Sequence, residues 1–504
     1  METTKPDQPR LRILVLSDVS GLGLGGVPVF NMELCKGLAQ RHDVTLLTVD
    51  PDDRYDAASM GRQHGDTRIV NVPDFTPGRE PREALESLVK GSPAGYGLLA
   101  PGDEPFQLVI GHSRFSGPAA KSIREQWFPD ARLIHFLHTS PVRLDKIKNR
   151  WEKGARNAVS ERRIMHRADL VTGVGALLTA ECERLSDQVL HVPGLHEFVP
   201  GTEIGELIAG PHGGAERVDL LLPGRATDEI KGVDNAIRTM GILKQRHGAT
   251  FHLTVRGGPD PVKEPAEHQK WVAKVKEYGA EGNVTLLPFT KNPDDLVKDR
   301  ERADAVIMPS LHEGFGLVAT EAAGRGIPVL VNAESGAAGF FDKAPGGGNC
   351  VVRVHEGESV PEAWAEALEG LRQDLSGRWD EARTLYGYLS EYSWEHAGDA
   401  MAQAAMQTAP ATQRSFRQRY FGRRTRQGPG GTVVPAGTRT EWTVGPWYDG
   451  SVGWAPGAAR EHAAWHEINP LTRSQSVKEP ARTRRRPALQ RSRSTPARAT
   501  VTTT

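Results

Sequence analysis

The 504-residue sequence predicts an α/β protein of two doubly wound domains, each a parallel sheet with helices on both faces, followed by a basic tail. Three observations carry that expectation. The chain opens with a strand, a glycine-rich turn, a helical pattern and a second strand, an order that requires parallel strands with a helix crossing between them. The same rhythm restarts after about residue 215. From about Gln407 onward the text turns to Arg, Ser, Thr, Pro and Gly without sustained periodicity, which reads as disorder. A chain of this length also exceeds what one hydrophobic core serves.

The first strand is the apolar run Leu11 to Leu16, followed by a glycine cluster, a helical pattern over Phe30 to Arg41 and a strand at Val44 to Thr48. Further strands are expected at Leu108 to Ile110, Arg132 to Leu137 and Leu170 to Thr172. The Pro/Gly-rich stretch from Pro51 to Pro105 resists assignment, and Val192-Pro-Gly-Leu-His196 reads as linker. The second half supplies strands at Asp219 to Leu222, Thr250 to Val255, Val284 to Leu287, Ala305 to Met308 and Pro328 to Val331. Its helices are expected at Gly232 to Gln245, Phe315 to Ala323 and Pro361 to Leu371. The expected domains are therefore 11–205 and 215–390, with a closing helix over 391–408 that returns to the first domain and a basic tail over 409–504.

The formal net charge of zero hides an asymmetry. From Ala411 onward there are 17 Lys and Arg against 5 Asp and Glu, leaving 46 and 58 in the first 410 residues. Such a tail suits weak contact with an anionic membrane or a nucleic acid, although Trp442, Trp447, Trp454 and Trp465 are unusual in a disordered segment. No apolar run approaches the roughly 18 residues of a membrane span, and Met1 to Arg10 has no apolar leader, so a cytoplasmic protein, at most peripheral to the inner membrane face, is expected. Cys35, Cys182 and Cys350 form no CxxC pair, which argues against a disulfide framework or a zinc site.

The most informative segment runs from Pro309 to Val331. Glu313 sits in a glycine-containing turn between a strand and a helix that begins near Gly316, and Glu321 falls in that helix's second turn. Free N–H groups at the helix start favour a phosphate, and two carboxylates beside it can accept hydrogen bonds from sugar hydroxyls. Upstream, Gly224-Arg225 and Lys231-Gly232 follow another strand. Read in isolation, two basic residues after a strand suit a solvated loop.

Pro309-Ser, then Glu313-Gly314-Phe315-Gly316, Glu321-Ala-Ala and Gly326-Ile-Pro-Val closely resemble the E-x7-E signature of the family-4 retaining glycosyltransferases of GT-B fold. Gly224-Arg225 with Lys231-Gly232, and Tyr392-Ser-Trp-Glu395, resemble further elements of that family, so the likeness covers roughly residues 11–407. The resemblance implies two Rossmann-like domains facing a cleft, a nucleotide-sugar donor (UDP-, GDP- or ADP-sugar) and no metal or other cofactor. It implies that Glu313 contacts donor-sugar hydroxyls, Glu321 the ribose, and Arg225 and Lys231 the diphosphate. Gly314, Phe315 and Gly316 complete the donor loop. Gly25 and Gly26 face the phosphates from the first domain. His138, after the strand ending at Leu137, lines the sugar pocket, and His112 is expected on the acceptor side. The family's usual linker Asn is missing here, and the tail has no standard equivalent.

Other readings start from other residues. Gly21, Gly23 and Gly26 fit GxGxxG, with Asp50 where a dinucleotide-binding domain places its ribose acid, but Ser17 to Ser20 separate the strand from the first glycine and Glu313 and Lys231 go unexplained. Asp50-Pro-Asp52 resembles a metal-holding DxD pair but lies too early and reads as a polar turn. A binding protein that kept the fold, or a nucleotide-sugar epimerase or phosphorylase, would share these motifs.

Overall fold

A computed structural model describes residues 9–19, 25–49, 64–72, 78–186, 194–211, 217–290 and 292–410, with two short strands at 425–427 and 433–435. Gly21, Gly23, Asp50, Asp52 and the four tail tryptophans lie outside them.

The first sheet is built from β1 (Arg12–Ser17), β2 (Asp43–Thr48), β3 (Arg68–Asn71), β4 (Leu108–His112), β5 (Arg132–Leu137), β6 (Leu170–Val174) and β7 (Gly194–Phe198). Its order is β7-β6-β5-β4-β1-β2-β3, and every one of these neighbours is parallel. Parallel neighbours need crossovers, which α1 (Gly26–Ala39), α2 (Pro81–Ser87), α3 (Ser113–Trp127), α4 (Pro141–Ile147), α5 (Trp151–Met165) and α6 (Gly175–Ser186) supply. The stretch that resisted assignment yields β3 and α2. The segment read as linker contributes β7, which its Gly, His and Glu content concealed. That Gly-Leu-His-Glu-Phe run is ordered by its neighbour β6, not by its own propensity.

The second sheet contains β8 (Val218–Pro223), β9 (Phe251–Gly258), β10 (Val284–Pro288), β11 (Ala305–Met308), β12 (Val329–Asn332) and β13 (Val351–Val352), in the order β10-β9-β8-β11-β12-β13. Its helices are α7 (Val233–His247), α8 (Pro265–Glu277), α9 (Pro293–Glu301), α10 (Leu317–Ala323), α11 (Gly336–Phe341), α12 (Val360–Gln373) and α13 (Leu375–Leu389). Side-chain alternation divides its core into two layers: Leu220 and Leu222 join Leu253, Val255 and Trp364 on one face, while Leu221 joins Val306, Met308 and Trp379 on the other.

The chain passes between the domains twice, side by side: Thr202 N donates to Tyr392 O at 3.0 Å. After the second crossing, α14 (Trp394–Gln407) lies on α1 of the first domain. Trp394 meets Phe30 with ring centroids 5.1 Å apart, and Arg41 bonds Glu395 at 2.5 Å. Beyond α14, β14 (Thr425–Gln427) pairs in parallel with β7, and β15 (Val433–Pro435) pairs antiparallel with β14. No strand is expected there from the sequence.

The α1–α14 contact is close enough to test. A Cβ on Gly37 would lie 2.5 Å from the Trp394 carbonyl group, whereas one on Gly387 in α13 would meet nothing within 4 Å. Gly37→Ala should lower stability by about 1–3 kcal/mol despite Ala's better helix propensity. Gly387→Ala should be neutral or stabilising by up to about 1 kcal/mol. Urea denaturation of both variants checks this; equal midpoints would remove the steric argument.

Candidate active site

In both sheets the strand order reverses beside the first strand of the domain, between β1 and β4 in one and between β8 and β11 in the other. At such a reversal neighbouring crossovers run to opposite faces and leave a crevice beyond the strand ends, where open α/β sheets bind ligands. The loop after β8 carries Arg225 and Lys231, and the loop after β11 carries Glu313 to Gly316.

The local folding of these loops brings the candidates together. Glu229–Lys231 forms a single 3-10 turn closed by Gly232, whose φ of 68° is the left-handed conformation that glycine adopts without strain. A Cβ there would also lie 2.1 Å from Pro309 O, so only glycine admits this approach. Leu311 N then donates to Ile230 O at 2.8 Å, pinning the turn against the segment that leads into Glu313. The result is an ion pair, Lys231 Nζ to Glu313 Oε2 at 2.5 Å. Glu313 is held from the other side as well, since Gly336 N donates to Glu313 O at 3.1 Å.

Two of the contacts between this assembly and the first domain bear on the candidate residues. A Cβ on Gly314 would fall 2.2 Å from His138 O, so the Glu313 loop lies directly on the chain after β5. Gly25, the N-cap of α1, faces Arg225, whose Nη2 is 3.6 Å from where a Gly25 Cβ would sit. Arg225 is exposed and has no ion-pair partner among the described residues. Around Gly26 a Cβ would meet nothing within 4 Å. Gly316 caps α10 with φ 101°.

Glu321 stands apart from the Lys231–Glu313 pair. It is hydrogen-bonded to Arg300 at the end of α9, and desolvation raises its carboxyl above the ordinary value against that pull, helped by the charges of Glu203 and Glu33. Glu33 on α1 is raised in the same way by burial, although Lys36 bonds it at 2.8 Å.

Burial bears on two of the expected residues. The Phe315 ring is 5% exposed and belongs to the hydrophobic cluster of the first domain, against Gly175 and Phe340, so the backbone is what this residue presents to the loop. His112 is 1% exposed, with its Nδ1 2.9 Å from His138 Nε2. Burial pushes the His112 imidazole down to about 3 and His138 well below the usual histidine range, so both are neutral at physiological pH.

Several neighbours carried no sequence signal. Arg300 lies in the charged run Lys298-Asp-Arg-Glu-Arg302, which reads as a solvated helix face. His312, beside Glu313, is 3% exposed and pushed down to about 4 by burial, with Arg143 adding to the effect. Arg143 and Lys148, in and just after α4, reach the second domain at Glu334 and Asp228, at 2.8 and 2.9 Å. Among the described residues no group of three or more His, Cys, Asp or Glu is arranged to hold a metal ion, and no helix is long and apolar enough to cross a membrane.

A family profile described as "Family 4 Glycosyltransferase in conflict systems" matches residues 14–401. The chain belongs to this family. It is a glycosyltransferase of GT-B fold, and the match contains every candidate residue and ends before the basic tail. The D-inositol 3-phosphate glycosyltransferase of Corynebacterium diphtheriae is 24% identical over 395 residues, covering 75% of this chain and 88% of that protein. Among solved structures, the sucrose-phosphate synthase (tll1590) from Thermosynechococcus elongatus superposes with a TM-score of 0.61 at 21% identity, over 79% of this chain and 99% of that one. A structure described as "Trehalose-6-phosphate from E. coli bound with UDP-2-fluoro glucose" gives 0.55 at 14% identity, over 79% and 100%. This membership removes the oxidoreductase reading of the glycine cluster.

The raised carboxyls of the glycosyltransferase have a stability consequence. A carboxyl whose folded value lies above its ordinary 4.5 contributes stability that is complete below that pH and is lost as pH rises through the folded value. Glu33→Gln should therefore be more stable than the parent at pH 7.5, with the difference closing as pH falls to 4. Urea midpoints at the two pH values measure it; a pH-independent difference would contradict the assignment.

Proposed function

We propose that the enzyme transfers a sugar, with retention of anomeric configuration and without a metal ion, from a nucleoside-diphosphate sugar to an acceptor hydroxyl. The observation that carries this reading is the Lys231–Glu313 pair at the switch point of the second sheet, with Arg225 and Gly25 opposite each other beside it. In the structure the two charges satisfy each other. A nucleotide sugar offers each a replacement: diphosphate oxygens for Lys231, sugar hydroxyls for Glu313.

In this scheme Glu321 holds the ribose, and Arg225 joins Lys231 on the diphosphate. Both cations act where negative charge grows as the glycosidic bond breaks, so they stabilise the transition state more than the bound substrate and do the electrostatic work of a divalent ion. The leaving phosphate accepts the acceptor's proton on the same face, across an oxocarbenium-like transition state, and no protein nucleophile is needed. His138 completes the sugar pocket. Outside this site, the positive excess after Ala411 suits an anionic surface, and such binding would fall steeply with salt.

Lys231→Ala should reduce turnover by roughly 10²- to 10³-fold, on the order of 3–4 kcal/mol, while a free nucleoside binds nearly as before. Glu313→Gln should keep nucleoside diphosphate binding and lose about 10- to 150-fold in transfer, since one acceptor oxygen and a charge-assisted bond are removed. Near-parent rates in both variants would overturn the assignment. Anomeric NMR of the product should show retention, and turnover should survive a chelator; an inverted product or full loss on chelation would each reject that part of the mechanism.

A further inference from the structure

The histidine pair behind the sugar pocket is built more firmly than packing alone requires. His112 ends β4, and His138 follows β5, its parallel neighbour, with His112 in register with Phe136. His112 N donates to Ser116 Oγ at 2.9 Å, and that hydroxyl donates to Leu16 O at 2.7 Å. Between them Ser113 adopts φ 42°, a left-handed conformation that is costly for a residue with a Cβ, and its Oγ accepts from His138 N at 3.0 Å. The His112 ring stacks on Phe136 at 5.3 Å, and the His138 ring meets the edge of Phe30 at 4.7 Å. Both imidazoles are thus held from several sides.

Two neutral imidazoles bonded through Nδ1 of His112 and Nε2 of His138 share one proton in that bond. His112 Nε2 is sealed from solvent and has no partner among the described residues, whereas His138 Nδ1 has no partner among them and is not sealed. Glu161, the buried carboxylate of this region, already accepts from His135 Nε2 and Arg114 N, each at 2.9 Å. If His138 donated, His112 would carry an orphaned buried N–H; if His112 donates, it leaves only a bare lone pair there. Buried N–H groups without acceptors are the rarer arrangement.

We propose that His112 is a positioning residue that donates Nδ1–H to His138 and so holds His138 as the Nδ1–H tautomer, giving the pocket a hydrogen-bond donor aimed at an oxygen of the nucleotide-sugar donor. This rests on the transfer reading above for its ligand, but not for its tautomer.

Nitrogen NMR of the full-length protein labelled with 15N-histidine reads the tautomer directly. His138 should show a protonated Nδ1 and a bare Nε2; the reverse pattern overturns the proposal. UDP alone shifting Nδ1 would identify a phosphate oxygen as the acceptor, and UDP-glucose shifting it where UDP does not would identify a sugar oxygen. No shift with UDP-glucose, nor with a GDP- or ADP-sugar, would overturn the ligand contact. Kinetics supply the second arm. His112→Asn, which can still donate through its amide, should keep kcat within about 3-fold, while His112→Asp, which offers only acceptors, and His112→Phe should lower kcat at least 10-fold with a smaller change in KM. Equal losses in Asn, Asp and Phe variants would mark a purely structural role and reject the proposal. A parent enzyme without turnover on any nucleotide sugar would instead sink the transfer reading, and the NMR assignment would still stand or fall by itself.

Discussion

The approach of Gly232 to Pro309, secured by the Leu311 to Ile230 backbone hydrogen bond, is the constraint on which the site depends. It joins the two loops that leave the second sheet at its point of reversal. Without that close approach Lys231 and Glu313 would belong to separate solvated loops, 82 residues apart in the chain. With it, a cation and a carboxylate meet in a partly sheltered place, where their interaction is stronger than in water and where an anionic ligand can exchange with the carboxylate for the cation. The glycine is required twice over, by its left-handed backbone and by the lack of room for a side chain.

The same loop that presents Glu313 also joins the domains. Gly314 rests on the His138 carbonyl, and the Phe315 ring is buried in the hydrophobic cluster of the first domain although its backbone belongs to the second. Apolar burial and the proposed ligand positioning therefore reside in one short loop. A change in how the domains meet must move the carboxylate, because the aromatic anchor and the glutamate are two residues apart. The Arg143–Glu334 and Lys148–Asp228 bridges lie in this seam too, but partly exposed ion pairs contribute little energy and serve alignment more than cohesion.

Burial gives chemically similar groups different characters. His112 and His138 are stripped of water and stay neutral, so what they offer is fixed hydrogen-bond geometry and not charge. Glu313 is paired with Lys231, while Glu321 feels desolvation and the fields of Glu203 and Glu33 in addition to Arg300. Two glutamates eight residues apart thus occupy unlike surroundings.

Much of this was legible in the sequence. Apolar runs such as Arg132 to Leu137 and Ala305 to Met308 mark parallel strands buried on both faces, because continuous hydrophobicity is what such burial demands. The Glu313–Glu321 segment, with Gly224-Arg225 and Lys231-Gly232 upstream, carried the family, since the type and spacing of these residues are local features of the chain. The rest was decided by tertiary contacts that leave no local trace. β7 is a strand because β6 lies beside it, Arg300 is a partner because α9 brings it to Glu321, and Phe315 is core because Gly175 leaves room for its ring. His112 shows the difference most clearly: its residue type and place at a strand end could be read from the chain, but its direction was set by a hydrogen bond to a residue on the neighbouring strand's exit. Sequence determines which groups are available and which backbone conformations are affordable to them locally, whereas pairing between distant segments is fixed only when the sheets close and water is excluded.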